Sequence, residues 1–128
     1  DKRLANLLRS EEEHLRVWAI QLLVDHGTPK PETIDLFVSL AQEEKSGLVR
    51  LYLASALRKL PLEKRWPLAN ALGQSEDLKD DPVFPLLLWY GIEPAVSTNL
   101  TAAIKLLTKC KIPKLRQFIA RRITETKE

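Results

Sequence analysis

The ten residues from His14, HLRVWAIQLL, and the ten from Leu48, LVRLYLASAL, share one pattern. Each reads apolar, Arg, apolar, aromatic, then small and apolar residues at helical spacing. The same register places Val83, in PVFPLLLWYG, where Leu15 and Val49 stand, and a slightly shorter step reaches Leu115, in KLRQFIARRI. The arginine recurs as Arg16, Arg50 and Arg116, while the third unit carries Phe84 in its place. A period of roughly 20–50 residues is the signature of stacked repeats, because one short unit cannot bury its apolar face alone.

Each of these segments is preceded by a second apolar-periodic one: LANLL, IDLFVSLAQE, WPLANALG and LTAAIKLLTK. All place apolar residues three and four apart, the spacing of an amphipathic helix, and none alternates as a strand does. The boundaries are punctuated. Ser10 with Glu13 reads as a capping box. Gly27, Gly73 and Gly91 stand where helices should stop. Pro31, Pro82 and Pro113 suit first-turn positions, and Asp81 suits an N-cap. Pro67 predicts a helix that starts near Arg65. The sum is an all-α chain of eight helices in four antiparallel pairs, a right-handed α-solenoid. The second helices, near residues 12–26, 46–60, 82–92 and 113–126, should line its inner face.

The repeat length also fits tetratricopeptide repeats, but their Trp–Leu–Gly–Tyr pattern is absent here. The apolar–Arg pair that opens each second helix resembles HEAT repeats instead, with approximate repeats at 1–27, 31–61, 63–92 and 98–126 in one domain over 1–128. The order of the strings LRVWAIQLLVDHG, LVRLYLASALRKLP, DDPVFPLLLWYGIEP and KIPKLRQFIARRI is similar to the helical segment of membrane-bound-dehydrogenase-like, haem-binding multidomain proteins of planctomycete and verrucomicrobial bacteria. In that family a β-propeller precedes the helices and a cytochrome c domain with a C-x-x-C-H motif follows them. The resemblance implies a spacer and docking module of an exported, periplasmic redox protein. Cys110 is followed by KIPK, so no haem attachment carries over and no cofactor is expected.

Composition narrows the rest. The chain has 128 residues, enough for one domain, and no methionine, which points to a piece of a longer protein. No apolar run approaches the roughly 18 residues needed to span a bilayer, so no membrane insertion is expected. Residues 1–96 carry 12 Lys+Arg and 15 Asp+Glu, whereas residues 97–128 carry 8 and 2. A basic end of this kind attracts anionic partners or docks on an acidic neighbour.

Several residues have two readings. Trp89, Tyr90 and Glu93 fit a buried aromatic with a hydrogen-bonded turn, or a partner-recognition patch. Arg16, Arg50 and Arg116 fit a structural ladder to carboxylates, or an anion-binding row. Lys105, Lys109, Lys111, Lys114, Arg116, Arg121, Arg122 and Lys127 fit a solvated or docking face, or phosphate-backbone contacts. His14, His26 and Cys110 lack metal-ligand spacing and read as local structure. SEDLKDDP reads as a linker with an N-cap. No motif for a nucleophile, phosphate loop or dinucleotide is present, which argues against an enzyme. The expected function is a non-catalytic interaction or spacer domain, monomeric or weakly self-associating through its ends. The alternative is a nucleic-acid-binding solenoid that uses the basic C-terminal helices, with Arg116, Arg121 and Arg122 as partner candidates.

Overall fold

The computed structural model describes residues 2–126, and these are all-helical apart from their turns. Eight α-helices run in chain order: α1 (Lys2–Leu7), α2 (Glu13–Asp25), α3 (Pro31–Glu43), α4 (Gly47–Ala56), α5 (Trp66–Leu72), α6 (Phe84–Val96), α7 (Leu100–Lys109) and α8 (Pro113–Thr126). Short 3-10 turns follow α4 (Leu57–Lys59), precede α5 (Leu62–Lys64) and lie in the α5–α6 connection (Glu76–Leu78).

The helices alternate between two layers. α2 packs on α4, α4 on α6 and α6 on α8, while α3 packs on α5 and α5 on α7. Within each hairpin the two helices also touch, α1 with α2 and α7 with α8 most extensively. The side chains between the layers are apolar and inaccessible, among them Phe37, Leu53, Leu57, Leu68, Leu88, Leu106 and Leu115. Each such burial contributes about 1.5–3 kcal/mol of transfer free energy, which offsets the cost of ordering the chain.

Most boundaries lie where local chemistry puts them. Pro31 and Pro113 open α3 and α8, and Pro67 sits in the first turn of α5, where a missing N–H costs no bond. Gly27, just past α2, has φ +103°, a conformation that favours glycine. Gly73 closes α5, its N–H donating to Ala69 O.

Three expectations need correction. The first is the Ser10–Glu13 capping box. Glu12 is the N-cap of α2 and makes no side-chain cap bond, while the Ser10 hydroxyl accepts from the N–H of Glu12. The second is the start of α6, which opens at Phe84 rather than Pro82. Asp81 still caps it from a distance, its Oδ2 accepting from Val83 N (2.9 Å) and Phe84 N (2.8 Å). The third is Gly91, which does not stop α6. The helix runs through Gly91 and Pro94 to Val96. Gly91 is there because α6 meets the end of α4 almost backbone to backbone: a Cβ on it would lie 2.6 Å from Leu57 Cβ. Pro94 has no N–H to give the Tyr90 carbonyl, yet the last turn persists because Ala95 and Val96 are buried.

Candidate interaction surfaces

Each second helix starts at a tight corner with the same design. Three residues before α2, α4, α6 and α8 stand Ser10, Glu44, Asp81 and Cys110. In every case the side chain accepts the N–H two residues on: Glu12 to Ser10 (3.1 Å), Ser46 to Glu44 (3.0 Å), Val83 to Asp81 (2.9 Å) and Ile112 to the Cys110 sulfur (3.3 Å). Any short acceptor serves that purpose, so the position varies in residue type while its geometry is kept.

The arginines bind the corners together. Arg16 makes a two-pronged pair with Glu44, Nε to Oε1 at 2.8 Å and Nη2 to Oε2 at 2.9 Å, and donates to Ser10 O at 2.7 Å. Arg50 does the same with Asp77, Nη1 to Oδ1 at 2.8 Å and Nη2 to Oδ2 at 2.7 Å, and donates to Lys45 O. Each guanidinium thus holds its own corner and the acid of the following hairpin, 28 and 27 residues away. The planar fork suits this task, and a lysine could not make both bonds at once. The two rungs differ in burial. The Glu44 side chain is 4% exposed, whereas Asp77 is 64% exposed and reached from the longer α5–α6 connection. The hydrogen bonds from Arg50 hold the Asp77 carboxyl below the usual carboxylate range.

The third and fourth units break the ladder. Since α6 opens at Phe84, the place three residues into the helix, which Arg16 and Arg50 occupy, falls to Leu87 rather than Phe84. Arg116 has that place in α8, but it is exposed and forms no ion pair among the described residues. Sequence reasoning misses a different arginine. Arg65 is buried and donates to Leu60 O (2.9 Å), Gly91 O (2.8 Å) and Arg58 O (3.3 Å). Burial lowers its pKa from the usual arginine value, and the three carbonyls compensate the buried charge. The only sequence signal is its place before the Trp–Pro helix start.

The aromatic–acid cluster divides. Trp89 is half-buried and stacks on Phe118, with centroids 5.6 Å apart and planes at 28°. Glu93 accepts from Arg122 Nε at 3.1 Å, so α6 and α8 are joined by a ring pair and an ion pair. Tyr90, the next residue along α6, is 54% exposed. Arg121 is exposed, as are Lys105, Lys109, Lys111 and Lys114; Lys127 lies outside the described residues. His14 and His26 sit at opposite ends of α2, about 18 Å apart along its axis, and are not brought together with Cys110. Burial pushes the Cys110 thiol pKa up, which disfavours the thiolate.

Two open grooves run beside the rungs. One of about 600 Å³ lies between α1 and α3 and includes Arg9, Ser39 and the Arg16–Glu44 pair. The other, about 540 Å³, lies between α3 and α5 and includes Asn70, Gln74, Lys109 and the Arg50–Asp77 pair. In both, the paired arginine and carboxylate are already joined to each other, which leaves little free chemistry for a substrate. Among the described residues no group of three or more His, Cys, Asp or Glu is placed to hold a metal, and no helix is long and apolar enough to cross a membrane.

Comparison with protein-family models, with curated proteins and with solved structures finds no match.

Proposed function

We propose that this chain is a HEAT-like α-solenoid module of four helix pairs, and that it works by holding partners at a fixed spacing rather than by catalysis. The observation that carries the reading is the pair of Arg–carboxylate rungs, Arg16–Glu44 and Arg50–Asp77, whose arginines stand at the same place in successive second helices. A recurring bond between neighbouring hairpins fits an array in which each unit contacts only its neighbours. On the resemblance given above, the parent is an exported bacterial redox protein with a haem-binding, dehydrogenase-like organisation, and this segment is its spacer and docking surface. The parent reading frame tests that part. An export signal upstream and a C-x-x-C-H motif downstream support it, and a frame with neither refutes it.

A nucleic-acid reading has one observation in its favour: Lys105, Lys109, Lys114, Arg116 and Arg121 are all exposed near the α7–α8 end. Arg122 is already engaged by Glu93. A duplex-DNA titration decides it. Phosphate contacts require affinity that falls steeply with salt, and flat, weak binding removes the reading.

A further inference from the structure

The two ends of the helical stack are complementary, and we infer that the chain binds a second copy of itself head to tail. The α7–α8 end of one molecule receives the α1–α2 end of the next. The inference rests on reading the helices as stacked hairpins, and register carries it. At two of the three internal junctions, those after α2 and α4, an arginine three residues into the second helix takes a carboxylate of the following hairpin; α6 has Leu87 at that place. Arg116 stands at that place in α8, exposed and without an ion pair among the described residues.

The neighbouring helix α7 is prepared in the same way. In α3, Ile34, Val38 and Ala41 stand ten, six and three residues before the corner residue Glu44, and Val38 and Ala41 face α5 across a shared groove. Leu100, Ile104 and Leu107 stand ten, six and three residues before Cys110. With no helix beyond them, Leu100 and Ile104 are 38% and 47% exposed. Leu100 and Ile104, one turn apart, thus leave a small apolar strip open on α7, which a docked partner would cover.

The opposite end supplies what these groups lack. Leu15 and Trp18 on α2 are 38% and 53% exposed. Their counterparts one repeat on, in α4, are Val49, fully buried, and Tyr52, packed against the core. The corner at Ser10 is the counterpart of the Glu44 corner, and Glu11 and Glu12 beside it are exposed. Charge is complementary locally, at the corner: Glu11 and Glu12 are exposed beside Ser10, and Arg116 and Arg121 are exposed on α8. Such a contact joins two different surfaces, so repeating it adds further copies in chains or rings rather than stopping at a two-fold dimer.

Sedimentation equilibrium tests this. At low salt the mean mass should rise with protein concentration towards about 1 mM and fall as salt is added. Arg116→Glu should weaken association at least about tenfold, as should Glu11→Arg with Glu12→Arg; all three changes in one chain should recover it. Trp18→Ala should weaken it too. All these side chains are exposed, so circular dichroism should show each variant folded. A protein that stays monomeric throughout, or association indifferent to both charge reversals, overturns the inference. A monomer that keeps the Arg16–Glu44 coupling described below refutes only the head-to-tail contact and leaves the stacked-hairpin reading standing.

Discussion

Replacing Gly91 with alanine separates two effects of opposite sign. Within a helix, alanine is favoured over glycine by about 0.8–1.0 kcal/mol, so position 91 of α6 viewed alone should gain stability. The packing opposes this. The added methyl would sit 2.6 Å from Leu57 Cβ and 2.9 Å from Leu57 Cδ1, and Leu57 is wholly buried at the end of α4. The near atom is Cβ, which cannot swing aside as the end of a flexible side chain could. The two helices must therefore part by about 1 Å, an overpacking that costs about 1–3 kcal/mol. The methyl also presses on a contact that Arg65 fixes through Gly91 O. The net expectation is a loss of up to about 2 kcal/mol, or up to roughly 7 °C in Tm for a chain of this size. Thermal unfolding followed by far-ultraviolet circular dichroism, which reports helix content, measures it. Gly91→Ala combined with Leu57→Ala should cost less than the sum of the two single changes, because the smaller side chain makes room for the methyl. A Gly91→Ala protein more stable than the parent by the full helix-propensity gain of about 0.8–1.0 kcal/mol would refute the close approach.

Other consequences follow from single groups. The folded-state pKa of Asp77 is depressed, so its rung contributes fully above the unfolded value of about 3.9 and is lost as pH falls through the lower folded value. Tm measured down this acid range should fall less steeply for Asp77→Asn than for the parent. The buried Cys110, its thiol pKa raised, should react with a thiol reagent at the rate of unfolding and speed up sharply in denaturant; fast reaction in native buffer would contradict its burial. Glu93→Gln should change stability by less than about 1 kcal/mol, because its pair with Arg122 is partly exposed, and chemical denaturation reads this directly.

The helical period is plain in the sequence because α2, α4 and α8 bury one face each, and burial imposes the three- and four-residue spacing. Pro31, Pro67 and Pro113 mark helix starts for a local reason, the missing N–H, that no tertiary contact overrides. Gly91 misleads for the complementary reason. A glycine followed by Ile, Glu and Pro looks like a helix end, and only the position of Leu57, far earlier in the chain, makes the missing Cβ a packing requirement. The corners are hidden in another way. Ser, Glu, Asp and Cys do one job at Ser10, Glu44, Asp81 and Cys110, so there is no residue type to recognise. The acids that meet Arg16 and Arg50 are legible only as a spacing of 28 and 27 residues, which has meaning once α2 is seen to pack on α4 and α4 on α6. Trp18 and Tyr52 hold the same place in the sequence pattern, yet Tyr52 is packed against the core and Trp18 is 53% exposed, a difference the pattern does not carry.

The central claim is that successive hairpins are fastened by arginine–carboxylate rungs. The most direct measurement is a double-mutant cycle on the more enclosed rung, with Arg16→Met, Glu44→Gln and both changes, each followed by chemical denaturation. Two charge-assisted hydrogen bonds, with Glu44 4% exposed, predict a coupling of about 2 kcal/mol, each single change costing nearly as much as the pair. Single effects that simply add, with coupling below about 0.5 kcal/mol, would mean that the hairpins are held by apolar packing alone and that the recurring arginine is not what joins them.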